Sequence, residues 1–288
     1  MKKTVKRLLL RLAPSAAGAL VAWRQRRHAR QFEARLGLPA LAEVWTAHHD
    51  LCVLDGPFAG MRYVPRAVGS AFVPKLLGSY ESELHSIMDR AANAAYALIV
   101  DIGCAEGYYA VGLARRLPRA RVYAFDTDAA GRALCAAMAR ANDVAERVIV
   151  GGACNTKALS DLLGEQRAGA GAALVVCDCE GCEYDLLRPD QAPGLRGADL
   201  LVELHPGGDD DAARRDAAFL ESFSATHDVT LLTAQGRDPA RYPAVHFLPV
   251  EQQRLAVNEF RHAGQRWAWM LSRRSRRSDG ASGKEEIA

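Results

Sequence analysis

The chain has 288 residues, 49% of them hydrophobic and 25% charged, with a formal net charge of +3. That size and balance fit one large globular domain with appendages, and they exclude a fibrous or wholly disordered chain. Seven cysteines, an odd number without the spacing of a small disulfide scaffold, predict reduced thiols and a cytoplasmic setting.

The small net charge hides an asymmetry. Residues 1–36 carry ten basic side chains, from Lys2 to Arg35, against one acid, Glu33, so this arm is +9 and the rest of the chain −6. Arg11 interrupts the arm's apolar run, and Leu12–Trp23 is about half the roughly 20 residues that a spanning helix needs. Pro14 and Gly18 weaken it further as a continuous helix. The arm therefore reads as a solvated basic helix that packs on the domain, or as a basic amphipathic segment for a partner or for peripheral contact with an anionic inner-membrane surface, rather than as a secretion signal. Residues 37–96 read as a partly helical lead-in packing on the core, with Leu84, Ile87, Met88 and Ala91 at helical spacing.

From Tyr96 onward short apolar runs alternate with helical stretches. The predicted strands are Ala97–Ile102, Arg121–Phe125, Arg147–Val150, Ala173–Cys177, Leu200–Glu203, Val229–Thr233 and Trp267–Leu271. Helical composition fills the gaps between the first five, as in Tyr109–Leu117 and Ala129–Ala141. Such alternation predicts an α/β fold, a doubly wound, mostly parallel seven-stranded sheet over residues 97–272. Residues 273–288 are polar and read as a disordered tail.

The stretch LIVDIGCAEGYYAVGLA, Leu98–Ala114, places a glycine-containing turn between the first strand and a helix. Ligands of doubly wound sheets bind at such strand ends. The spacing is Asp101-x-Gly103-x-Ala105-x-Gly107, which is not the Gly-x-Gly-x-x-Gly of dinucleotide-binding turns. No Lys-Ser/Thr follows Gly107, so a Walker-type phosphate loop is excluded. Tyr108 is bulky where a pyrophosphate would approach. Asp126, 19 residues after Gly107, ends the next strand at the distance of an acid that accepts hydrogen bonds from ribose hydroxyls. Asp128 suits the N-cap of the following helix.

The Asp101–Gly107 turn resembles motif I of class I S-adenosylmethionine-dependent methyltransferases. VVCDCEGCEYDLL, with Asp178, Glu180, Gly181 and Glu183, and LLVELHP, with Glu203 and His205, resemble the corresponding block of the FkbM-type methyltransferases. The segments GPFAGMRY and VNEFRHAGQRWAWML are similar to others in that family. The resemblance implies a Rossmann-like methyltransferase fold, S-adenosyl-L-methionine as cofactor, and O-methylation of a hydroxyl on a small molecule, sugar or glycan. It places Asp101, Gly103, Ala105 and Gly107 around the methionine end of the cofactor. It places Asp126 at the ribose, and Gly152, Ala153 and Cys154 at the adenine. Ala105 stands where the family more often has glycine, which a methyl group tolerates if its φ is negative. Glu81 matches an upstream acid of the family.

Asp178 and His205 are the expected catalytic residues, His205 as the base that takes the acceptor's proton and Asp178 as a contact to substrate or cofactor. Asp178, Glu180, Glu183, Glu203 and His205 could instead hold a divalent metal, as in catechol-type methyltransferases. Glu180 and Glu183 equally suit a helix N-terminus, and no metal is assigned. Cys177, Cys179 and Cys182 are expected as small buried thiols. The basic arm keeps a nucleic-acid methyltransferase in view, although no RNA-binding module is evident. The glycine spacing disfavours a nicotinamide oxidoreductase. Intact Asp101, Asp126 and Asp178 argue against a non-catalytic S-adenosylmethionine-binding protein.

Overall fold

The computed structural model describes residues 31, 33–68, 70–166, 172–205, 211–262 and 264–274. The expectations for residues 1–30 of the arm and for residues 275–288 of the tail lie outside the described residues. No helix among the described residues is long and apolar enough to cross a membrane.

Seven strands form: β1 (Tyr96–Ile102), β2 (Arg121–Phe125), β3 (Val148–Gly151), β4 (Ala172–Cys177), β5 (Asp199–Leu204), β6 (His227–Thr233) and β7 (Arg266–Ser272). Every predicted strand lies within two residues of these bounds. They make one sheet in the order β3-β2-β1-β4-β5-β7-β6. The first five pair in parallel, and β7 runs antiparallel between β5 and β6. The expected doubly wound, mostly parallel sheet is therefore present.

Side-chain alternation assigns the two faces. In β4, Leu174 and Val176 join one core cluster while Val175 and Cys177 join the other. The helices α1 (Leu38–His48), α2 (Phe72–Leu77), α3 (His85–Asn93), α4 (Tyr108–Arg116) and α5 (Ala129–Ala141) supply the first cluster, through Trp45, Leu76, Ile87, Leu113 and Met138 among others. The second is supplied by α6 (Thr156–Gln166), α7 (Glu183–Leu186) and α8 (Ala212–Ser224), through Leu159, Leu186 and Phe223. A short helix, α9 (Val250–Ala256), precedes β7.

Residues 37–96 share the first cluster with the sheet and so do not form a core of their own. The Phe58 ring lies so close to Gly112 of α4 that a Cβ there would come within 2.6 Å of it. Polar bonds tighten the same junction. Glu106, in the turn after β1, is fully buried. Its carboxylate accepts from the Tyr63 hydroxyl at 2.6 Å, the Val68 amide at 2.8 Å and Lys75 Nζ at 2.6 Å. The lead-in thus provides all the partners of this buried charge among the described residues, and it grips the turn from behind.

Removing one side of a buried ion pair costs more than removing both, because the survivor stays charged without a counterion. Lys75→Met is expected to lower stability by roughly 3–5 kcal/mol. Lys75→Met/Glu106→Gln is expected to recover at least half of that loss. Calorimetric unfolding measures both, and a double variant no more stable than the single one would contradict the pairing.

Candidate functional site

Chain connections make the site. From β1 the chain winds outward to β2 and β3, then returns to lay β4 against the other side of β1. The connections of β1 and β4 leave in opposite directions, which opens a crevice at their carboxyl ends. The two strands stay close there. Asp178 donates its amide to Ile102 O at 2.9 Å, and a Cβ on Gly103 (φ +87°) would sit 1.6 Å from Asp178 O. Only glycine fits at that position.

A cavity of about 570 Å³ occupies the crevice. Asp101, Gly103 and Ala105 reach it from β1, and Phe125 and Asp126 from β2. Gly152, Ala153 and Cys154 come from the end of β3, Asp178 and Glu180 from β4, and Glu203 and His205 from β5. Because β7 is antiparallel, the loop before it arrives at the same end and adds Glu259 and Arg261. Among the expected site residues, Gly107 is the exception. It is absent from the lining, and a Cβ there would meet Cys135 Sγ of α5 at 2.7 Å, so its smallness serves helix packing.

Six carboxylates line the cavity, those of Asp101, Asp126, Asp178, Glu180, Glu203 and Glu259, against Lys75 and Arg261. Lys75 is committed to Glu106. Arg261 donates to Glu203 Oε1 at 2.6 Å, to the Tyr80 hydroxyl at 2.9 Å and to Glu81. Arg237, behind this layer, bridges Glu83 at 2.5 Å and Glu259 at 2.7 Å. Acidic side chains therefore outnumber basic ones at the cavity wall.

Asp101 is the most exacting of these groups. It is 3% exposed, and its Oδ2 has no hydrogen-bond partner among the described residues. Burial raises its pKa to about 7, helped by the charges of Asp126 and Glu81 and opposed by the Ala110 amide and by Lys75. Asp126 has a different task. Its Oδ2 accepts from the Ala105 amide at 2.8 Å and its Oδ1 from the Asp128 amide at 2.7 Å. It therefore shapes the turn while facing the cavity. Asp128 caps α5 as expected, accepting from the Ala130 amide.

Several expectations need correction. Ala105 has φ +47°, the left-handed region that costs a residue with a Cβ roughly 1–2 kcal/mol. The Asp126 bond to its amide holds it there. Cys179 and Cys182 are joined as a disulfide, so they are not thiols. Cys177 remains a buried thiol, with its sulfur 3.7 Å from that of Cys179. The thiols of Cys104 and Cys154 are pushed up, the first chiefly by its hydrogen bond with Cys135 and the second by burial. Neither is an activated nucleophile. Glu81, the upstream acid of the resemblance, is buried and bonded to Arg261 and Tyr109.

His205 sits among four carboxylates. Its Nδ1 lies 3.0 Å from Glu183 Oε1. Its Nε2 faces Glu203 at 3.5 Å and both Asp178 and Glu180 at 3.9 Å. Burial alone would lower its pKa, but bonds to Glu183 and Glu203 and the charges of Asp178 and Glu203 raise it to about 11. That direction favours the protonated ring. Asp178 moves the same way: burial and the charges of Glu203 and Glu81 raise its pKa well above the usual carboxylate range.

A scan against protein-family models finds no match, and a search of curated protein sequences finds none either. Solved structures give distant likenesses. The O-methyltransferase TomG from Streptomyces achromogenes, solved with SAM, is 18% identical with a TM-score of 0.42, over 72% of this chain and 83% of that one. An O-methyltransferase from Bacillus cereus, in complex with SAH, is 15% identical with a TM-score of 0.40, over 64% and 78%. A precorrin-6y C5,15-methyltransferase from Geobacter metallireducens is 10% identical with a TM-score of 0.43, over 67% and 89%. At these values the likeness assigns neither activity nor ligand.

The pKa of Asp101 has a consequence for stability. It is higher in the folded chain, about 7, than the ordinary 3.8, so the folded state binds more protons between those values and loses stability as pH rises through them. Asp101→Asn escapes that loss. The variant is expected to unfold at nearly the wild-type temperature at pH 4 and several degrees above it at pH 8. A difference between the two proteins that does not change with pH would contradict the orphaned carboxylate.

Proposed function

We propose that the cavity binds S-adenosyl-L-methionine and that the chain is a methyltransferase acting on a hydroxyl. The observation that carries this reading is Asp101 Oδ2, a buried carboxylate oxygen without a partner at the switch point of a doubly wound sheet. Such an atom calls for a cationic donor. The surplus of acids around it calls for a ligand carrying positive charge. S-adenosylmethionine offers an ammonium and a sulfonium.

The residues present fit that ligand. Asp101 and the backbone from Gly103 to Ala105 would hold the methionine end. Asp126 would take the ribose hydroxyls, since each of its oxygens has accepted one amide and keeps a lone pair. Phe125, Ala153 and Cys154 would flank the adenine. When bound, the cofactor supplies an electrophilic methyl group. The protein's contribution is orientation and a matched field. Asp178 and His205 would face the acceptor, where the Asp178 carboxylate, its pKa raised by burial and by Glu203 and Glu81, would take the hydroxyl proton as the methyl group transfers and the His205 imidazolium beside it would steady the charges. An acceptor on a small molecule, sugar or glycan, and membership of the FkbM type, follow from the resemblance of the Asp178–Glu183 and Glu203–His205 blocks.

Calorimetric titration with S-adenosylmethionine tests this reading. Wild type is expected to bind saturably, and Asp101→Asn and Asp126→Ala at least tenfold more weakly, each folded by circular dichroism. The absence of binding to wild type, or unchanged affinity in both variants, would overturn it.

A further inference from the structure

We propose that the Cys179–Cys182 bond is a redox-active disulfide in the cavity wall, opened by a dithiol and setting how firmly the Asp178–Glu183 loop is held. The bond joins two residues of that loop. Both line the cavity, and Cys182 is exposed. A disulfide stabilises mainly by constraining the unfolded chain, and least when it closes a short loop. This one spans a sequence separation of 3, so it is a poor structural staple. Exposed disulfides are the ones that exchange with outside thiols.

A third sulfur distinguishes the two ends of the bond. Cys177 is a buried free thiol whose sulfur lies 3.7 Å from that of Cys179. The bonded Cys179 has no hydrogen to give, so the Cys177 S–H donates toward it. Burial and the charges of Glu183 and Asp178 push the Cys177 thiol up, which keeps that hydrogen in place and keeps Cys177 from attacking. Cys182 is therefore the sulfur within reach of a reductant. Cys179 is the sulfur prepared to leave, because a hydrogen bond to it stabilises the departing charge.

A thiolate of the dithiol attacks Cys182 Sγ, the S–S bond breaks, and Cys179 Sγ leaves with the electron pair and takes a proton. The second thiol of the reductant then displaces Cys182 from the mixed disulfide, and Cys182 Sγ takes a proton in turn. Two electrons and two protons pass to the protein, and the reductant ends as a disulfide.

The bonded pair encloses Glu180 and Gly181, with φ +58° and +102°. A glutamate stays in the left-handed region only where its surroundings hold it. The disulfide is one tie. Glu183 is the other, its oxygens accepting the Cys179 and Gly181 amides at 2.9 Å each. Reduction removes the first tie and leaves the second. Asp178 immediately precedes Cys179, and Glu183 also lies 3.0 Å from His205 Nδ1, so the loosening reaches both residues. The Gly103–Ala105 turn keeps its own bonds to Phe125 O and Asp126. The effect on an acceptor rests on the methyl-transfer reading, whereas the redox site itself does not.

The test uses folded, full-length protein purified without reductant, equilibrated against mixtures of reduced and oxidised dithiothreitol and then alkylated. Peptide mass spectrometry is expected to find Cys179 and Cys182 modified together, in one reversible two-electron transition. Hydrogen exchange at the Cys179 and Gly181 amides is expected to quicken about tenfold or more on reduction, with Gly103 and Cys104 unchanged. Cys182→Ser is expected to show the faster exchange without any reductant. Cys177→Ala is expected to be reduced roughly threefold more slowly than wild type. Free thiols at Cys179 and Cys182 before reduction, a bond that dithiothreitol opens only in unfolded protein, or exchange that reduction leaves unchanged would each overturn the proposal. Equal reduction rates in Cys177→Ala and wild type would overturn the route through Cys182. No S-adenosylmethionine is present, so this proposal and the methyl-transfer reading can fail separately.

Discussion

Everything at the candidate site depends on β1 and β4 lying side by side while their connections part. Close pairing at Gly103 and Asp178 leaves no room for a side chain, and the parting connections open the cavity just beyond. The chain places carboxylates around that opening and gives Asp101, Asp178 and Glu203 one oxygen each with nothing to bind among the described residues. Such groups cost stability unless something pairs with them. Their persistence at a strand-end cavity is what a cationic ligand would explain, and a doubly wound sheet places ligands there for topological reasons.

The second dependence is mechanical. The turn after β1 is gripped on two sides, by Asp126 through the Ala105 amide and by Lys75, Tyr63 and Val68 through Glu106. The first grip sustains a left-handed alanine, and the second brings the lead-in into the domain. A ligand cradle made of backbone needs such fixing, because a loose turn would lose its geometry to conformational entropy.

Much of this is legible in the sequence. Apolar runs of strand length identify all seven strands, most clearly β1, β4, β5 and β7, which are buried along nearly their whole length. Asp101, Asp126, Asp178, Glu203 and His205 are legible because each stands at or just past the end of such a run. What is not legible comes from distant pairing. Nothing near Lys75 in sequence announces Glu106, and Arg261 belongs to the site only because β7 is antiparallel and carries its leading loop to that end. The raised pKa of His205 reflects Glu183 of α7 together with carboxylates from two strand ends, which no local spacing encodes. The φ of Ala105, which the sequence leaves open, is positive and is held by a contact 21 residues away, and the Cys179–Cys182 bond follows from loop geometry that the spacing alone does not reveal.

The central claim is that Asp101 is a carboxylate kept for a cationic partner. Proton linkage measures it most directly. Isothermal titration with S-adenosylmethionine at pH 7, repeated in buffers of different ionisation enthalpy, counts the protons exchanged on binding. Asp101, its pKa raised to about 7 by burial, carries part of a proton at that pH and must ionise when the ligand's ammonium pairs with it. The account predicts that wild type releases more protons on binding than Asp101→Asn. Equal proton exchange in the two proteins would contradict it.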